Sequence, residues 1–237
     1  MTITSTHNEK LKLVRKLRQR KHREREGLFL GEGEDLLAAA RAAGAEPVEL
    51  LTAEGEGLGG IEVSAELLAS VSTLGSGTRA IGIWSRRFAE SLKPPVTYLH
   101  AIGDPGNVGA VVRSAAALVG GTVALGPDCA DPYSPKAVRG SMGAIFSQPI
   151  ARTGVEETPQ PRAALVAHGG DSPDALDGSA TLCLGAEREG LPDAVLAHCD
   201  RRVTIPLRPG TESLNVAAAA AIALQGIASP APGEGNG

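Results

Sequence analysis

Aromatic residues are scarce in this chain of 237: one Trp, two Tyr and three Phe, 3% of the sequence. So few rings argue against aromatic base-stacking as the main means of holding nucleic acid. No apolar run reaches the ~18 residues a membrane helix needs, so no membrane partner is expected. The N-terminus is charged and has no apolar signal core, which predicts a chain that is not exported. Cysteine is scarce too. Cys129, Cys183 and Cys199 lie far apart, and none forms a CxxC pair or has metal-ligand spacing with histidine. A reduced, cytoplasmic protein with no metal is expected. There is no internal repeat.

Apolar residues make up 42% of the chain and charged residues 21%, with Ala and Gly abundant. That composition predicts a globular protein with a real core, and the length fits one large or two small domains. The net charge of −4 would not suggest a polyanionic partner, but its distribution does. Lys10 to Glu26 holds nine Lys/Arg and two Glu, a local +7 that leaves −11 for all other segments.

Residues 6–26 read as one basic helix. Thr6 and Glu9 have capping-box spacing, and Leu11, Leu13, Val14 and Leu17 form a narrow apolar stripe. Lys10, Lys12, Arg15, Lys16, Arg18, Arg20, Lys21, Arg23 and Arg25 cover much of the rest. So dense a run of one sign repels itself without a partner, which favours a phosphate-contacting arm over a plain solvated face. Strands at 28–30, 48–52 and 80–84, with helices at 34–43 and 64–70, predict a small α/β domain over residues 1–85. Residues 86–95 contain a Pro-Pro pair and read as a linker. A second α/β pattern fills 96–228. Its strands are expected at 96–102, 122–125, 163–167, 180–184 and 203–207, and its helices at 135–142, 192–198 and 213–227. The Pro/Gly-rich tail 229–237 reads as disordered.

In that second pattern, Asp104–Gly121 passes from a turn into a helix. Asn107 reads as its N-cap, and apolar residues at 108, 111, 112, 115, 118 and 119 give one helix face. Arg113 stands within it. Three polar, Gly-containing segments follow strands: 103–109 (GDPGNVG), 185–191 (GAEREGL) and 205–216 (IPLRPGTESLNV). In a parallel sheet such loops share the edge where ligands bind. None is a dinucleotide fingerprint with its ribose-binding acid, and no Walker A lysine or GxSxG elbow is present. A dehydrogenase, a P-loop NTPase and a serine hydrolase are poorly supported. His100 and His168, at strand ends, read as structural or surface histidines.

The three segments together resemble the motifs of the SpoU (TrmH-type) branch of the SPOUT RNA methyltransferases. A DPxNxGxxxR pattern is met by Asp104, Pro105, Asn107, Gly109 and Arg113. A GxExxG pattern is met by Gly185, Glu187 and Gly190. An IP-to-SLN pattern is met by Ile205, Pro206, Ser213, Leu214 and Asn215. Residues 136–146 (KAVRGSMGAIF) agree as well, and the N-terminal half is more loosely similar to the family's substrate-binding domain. Leu207, where methionine is common, and Leu118-Val119, in place of an aromatic, are modest departures.

The resemblance implies a C-terminal SPOUT fold, a parallel sheet with a deep trefoil knot, which is a rare exception to unknotted topology. It implies S-adenosylmethionine in the knot, held largely by backbone, with Gly185, Ile205 and Leu214, and beside them Leu184 and Leu207, lining the pocket. It implies a homodimer and methyl transfer to a ribose 2′-hydroxyl of structured RNA, with large-subunit ribosomal RNA favoured over transfer RNA. Arg113 is assigned to the forming alkoxide and the adjacent phosphate. Asn107 either fixes the ribose or Arg113, or is a plain helix cap. Glu187 either pairs with a cation such as Arg113 or serves the fold of its loop. Ser213 and Asn215 either cap the last helix or also orient cofactor or substrate. The rivals are a non-catalytic RNA-binding relative and a nucleotide-dependent metabolic enzyme.

Overall fold

A computed structural model describes residues 2–74, 77–176 and 178–228, so the tail expected to be disordered lies outside the described residues. In chain order the first elements are helices α1 (Glu9–Leu17) and α2 (Arg20–Glu26), strand β1 (Leu28–Glu32), α3 (Glu34–Ala42), β2 (Glu49–Ala53), β3 (Ile61–Val63), α4 (Ala65–Val71) and β4 (Ala80–Ser85). Then come β5 (Val96–Leu99), α5 (Pro105–Leu118), β6 (Thr122–Leu125), α6 (Pro135–Gly140), β7 (Ile150–Arg152), β8 (Arg162–Leu165), β9 (Thr181–Leu184), α7 (Asp193–Leu196), β10 (Arg201–Val203) and α8 (Val216–Ala228). They form two compact units. One is Met1–Arg87 with Asp131–Ser147; the other is Phe88–Ala130 with Gln148–Gly237.

The first unit holds a four-stranded sheet in the order β1-β4-β2-β3. β4 runs antiparallel to β1 and β2, whereas the three-residue β3 joins β2 in parallel. The apolar stripe of α1 supplies Leu11, Val14 and Leu17, all fully buried with Leu30, Leu51, Ile81 and Ile83 from the sheet. Each such side chain stabilises the fold by about 1.5–3 kcal/mol.

The expected single basic helix is broken in two. Gln19 is extended, with ψ 135°, although no Gly or Pro stands there. The break is stabilised by Arg23, whose Nη1 donates to the carbonyls of Leu17 at 2.9 Å and Arg18 at 2.8 Å. These are orphan acceptors at the end of α1. The Arg23 Nε donates to Asp131 Oδ2 at 2.8 Å, and both side chains are only 3% exposed. The start also differs from expectation. Asn8, not Thr6, caps α1 by accepting from the Lys10 N–H. Asp131 belongs to the later segment, which packs α6 on β1 and sets Tyr133 4.8 Å from the Phe29 ring centre.

The second unit is a six-stranded sheet, β10-β8-β9-β5-β6-β7, parallel throughout. β5, β6 and β9 are buried along their whole length, as a parallel sheet covered on both faces requires. Tyr98 of β5 is in register with Cys183 on one side and Ala124 on the other. From β5 the chain moves out to β6 and β7, then crosses back to fill the other flank. β5 and β9 are therefore neighbours whose following connections diverge, the arrangement that opens a crevice at the carboxyl edge. All three cysteines are free. The Cys199 thiol donates to the Val195 carbonyl at 3.5 Å, and Cys199 together with burial pushes the Cys183 thiol up, while the neighbouring Cys183 draws Cys199 down. Among the described residues no helix is long and apolar enough to cross a membrane.

Candidate active site

The first loop at this edge is shaped by its own side chains. Asp104, not Asn107, is the N-cap of α5. Its Oδ1 accepts from the Gly106 N–H at 2.6 Å and the Asn107 N–H at 3.0 Å. Pro105 occupies the first helical position, where its fixed φ suits the helix and its missing N–H costs nothing. Asn107 is thereby in the first turn with its side chain released from capping. Its Nδ2 donates to Glu187 Oε1 at 2.5 Å, and its Oδ1 accepts from Asn215 Nδ2 at 3.1 Å. Asn215 Oδ1 in turn accepts from the backbone N–H groups of Ala217 at 2.9 Å and Ala218 at 3.4 Å. The three motifs thus meet in one directional chain of donors. It starts at the positive end of α8 and finishes on a carboxylate, so both amide dipoles are oriented by charge at each end.

Asn215 is therefore the cap of α8, which starts at Val216, later than expected. Ser213 makes no such bond and lines the cavity instead. Glu187 takes Asn107 and not Arg113. Arg113 lies roughly 9 Å along α5 from Asn107 and about a third of a turn round. It is exposed, opposite the buried Val108, Val111 and Val112, and meets no acceptor among the described residues.

Beside this chain is a cavity of about 660 Å³, within the usual range for small-ligand sites. Leu184, Gly185, Ile205, Leu207 and Leu214 all line it, as do Glu187 and Ser213. The Gly185 position is dictated by backbone. A Cβ there would stand 2.5 Å from the Leu191 nitrogen and closer still to the Gly190 carbonyl group, because the loop closes on itself through the Gly190 N–H donating to the Ala186 carbonyl at 2.9 Å. The residues present fit S-adenosylmethionine. Leucine, isoleucine and valine offer apolar walls for its adenosine, and Glu187, Glu189 and Glu212 outnumber Arg188 around a ligand that carries a sulfonium and an ammonium. Sequence reasoning missed the wall formed by Leu165 to His168 at the end of β8. Its one signal was position, since it too follows a strand to the carboxyl edge. Among the described residues no cluster of His, Cys, Asp and Glu could hold a metal.

The basic arm lies in the first unit, and most of its cations are engaged within that unit. Arg23 is buried on Asp131, which corrects its expected contact with phosphate. Lys10 pairs with Glu49, Lys12 with Glu9, Arg20 with Glu24 and Arg25 with Glu26. Arg15 donates to the Thr6 carbonyl and Arg18 to that of Val71. The pairs are mostly exposed, so each is worth little and can be exchanged for a phosphate. Lys16 and Lys21 are exposed and have no partner among the described residues. His22 is held below its ordinary pKa by desolvation first, then by Arg25, Lys21 and Lys16.

Comparison with known proteins adds to this geometry. Residues 94–225 match the model of the SpoU rRNA methylase family, and residues 8–81 that of an MRM3-like substrate binding domain. An uncharacterized tRNA/rRNA methyltransferase of Mycobacterium bovis is 38% identical over 54% of this chain. That match spans 49% of the relative, so the chain covers about half the length of this mycobacterial protein. A 23S rRNA (guanosine(2553)-2′-O)-methyltransferase of Bacillus subtilis is 28% identical over 93% of this chain and 96% of its own. The crystal structure of an AdoMet-bound rRNA methyltransferase from Sinorhizobium meliloti superimposes with a TM-score of 0.83 at 26% identity, covering 95% of this chain and 96% of that one. The chain belongs to the SpoU rRNA methylase family.

Proposed function

We propose that the protein transfers a methyl group from S-adenosylmethionine to a ribose 2′-hydroxyl of RNA, with large-subunit ribosomal RNA as substrate. The observation that carries this reading is the meeting of three distant loops at one cavity, tied by the Glu187–Asn107–Asn215 chain. The name of the B. subtilis relative supplies the ribosomal substrate and the 2′-oxygen.

When bound, S-adenosylmethionine offers its methyl on a sulfonium, so the hard part of the chemistry resides in the cofactor. The protein has to bring the ribose oxygen into line and help it lose a proton. A guanidinium is unsuited to act as an ordinary base. The free fork of donors on Arg113 suits an alkoxide as charge develops, and the neighbouring phosphate. Asn107 is locked by its two partners and sets the loop's geometry. The backbone of the Gly185 loop and the walls from Ile205 to Leu214 hold the cofactor. The first unit grips structured RNA through phosphates, which gives affinity with little sequence readout. A trefoil knot in the second unit, a homodimer with the site near its interface and a cytoplasmic location complete the proposal.

The test is transfer of labelled methyl to unmodified ribosomal and transfer RNA, with the modified nucleotide mapped. Label at a 2′-oxygen of ribosomal RNA is expected; label only on transfer RNA, or at a base, overturns the substrate assignment. Arg113→Ala should bind cofactor within twofold of wild type and lose about 100-fold or more in kcat. A folded variant with normal kcat removes Arg113 from the chemistry.

A further inference from the structure

Three non-glycine residues among those described have a positive φ: Ala101, Asp128 and Met142. Among the described residues four large apolar side chains are well exposed: Val48, Leu74, Met142 and Ile222. Only Met142 is in both groups. It follows α6 at the position where helices stop in the left-handed region and glycine is the favoured residue. A methionine with φ +48° there carries a steric cost that glycine would not, and its 54% exposure means that burial offsets little of it.

The turn is held on both sides. The Met142 N–H donates to the Arg139 carbonyl at 3.1 Å, and that of Ala144 to Ser141 at 3.0 Å. Ser141 is fully buried, with its hydroxyl on the Val138 carbonyl at 2.7 Å. Gly143 lies so close to Ala39 of α3 that a Cβ would collide with it. Met142 is thus a fixed apolar projection, with Arg139 exposed three residues before it and unpaired among the described residues. Phe29, Trp84 and Tyr133 are buried, which leaves the first unit with little aromatic surface for bases.

We propose that Met142 and Arg139 form a contact for an unpaired RNA nucleotide, the thioether against the base face and the guanidinium on the phosphate. Methionine's polarisable, unbranched chain suits any base face, and unpaired bases are the parts of RNA open to such contact. The proposal rests on the RNA reading above. The turn already sets the backbone that aims Met142 outward, so binding has only its side-chain rotamers left to order.

The test uses the full chain, Met142→Gly and Met142→Leu, and an unmodified large-subunit ribosomal RNA transcript. RNA Kd, methylation kinetics, S-adenosylmethionine Kd and thermal unfolding are measured. Met142→Gly should raise the RNA Kd and KM about fivefold and leave kcat and cofactor affinity unchanged. Its Tm should rise by about 2–4 °C, because the strained φ is relieved. Met142→Leu should keep RNA binding near wild type. An unchanged RNA Kd in Met142→Gly overturns the contact, and a fallen Tm assigns Met142 to packing instead. Wild type that binds the transcript without methylating it sinks the catalytic reading alone, since the Kd ratio still tests the contact. Wild type that does not bind the transcript overturns both.

Discussion

Gly185→Ala adds a single methyl group at the tightest point of the cavity wall. Its Cβ would stand 2.5 Å from the Leu191 nitrogen, whereas ordinary contact begins at 3.4 Å. Both obstacles are backbone of the same closed loop, so no side chain can rotate aside. The loop must move by about 1 Å. Glu187 rides on it, and its 2.5 Å bond from Asn107 would lengthen to about 3.5 Å, beyond useful hydrogen bonding. Overpacking of this kind costs about 1–3 kcal/mol. The broken bond adds little, because Glu187 is solvent-exposed. With that cost falling on the bound conformation of the loop, S-adenosylmethionine Kd rises about 5- to 150-fold. Titration calorimetry of wild type and variant measures it, with circular dichroism to confirm that the sheet is intact. A Gly185→Ala protein whose Kd stays within twofold of wild type would refute the argument that this loop closure builds the site.

Arg23 and the pair Lys16 and Lys21 make opposite predictions. Arg23→Ala strips a buried carboxylate of its main partner and uncovers the carbonyls that end α1, so stability in urea should fall by about 3–5 kcal/mol; a loss under 1 kcal/mol would contradict the buried ion pair. Replacing Lys16 and Lys21 together by Ala should leave stability within about 0.5 kcal/mol. In the log-log salt plot the RNA-binding slope should flatten by about 0.7–0.9 for each phosphate that is no longer neutralised. An unchanged slope removes those two lysines from the interface.

What the sequence made legible was local. The Asp104–Arg113, Gly185–Gly190 and Ile205–Asn215 patterns each lie within one short continuous stretch, so residue order alone carries them. Leu184, Gly185, Ile205, Leu207 and Leu214 of the cavity wall fall in or beside those patterns, whereas Leu165–His168 of the same wall belong to none of them. The break between α1 and α2 was not, because its cause, Asp131, is 108 residues from Arg23 in sequence. Nor was the cap of α5: Asn107 and Asp104 are both good caps, and only Pro105 at the first helical position decides for Asp104. β3 escaped notice because three residues leave no periodicity to read. Arg23 looked like its neighbours because charge is legible in a sequence and direction is not.

The donor chain from α8 to Glu187 has a thermodynamic consequence. It passes through two side-chain amides, each with one end committed to each neighbour, so the ordering of the Gly185 loop, the first turn of α5 and the first turn of α8 is coupled, by about 1 kcal/mol for each bond. A ligand that settles in the cavity steadies Glu187. Through Asn107 and Asn215 it then restrains the paired helices α5 and α8, including stretches that no ligand touches. A second ligand reaching α5 finds that ordering already done, and by linkage the first is held more tightly in return. Cofactor and RNA should therefore bind with positive cooperativity, with Asn107 as the residue through which each senses the other.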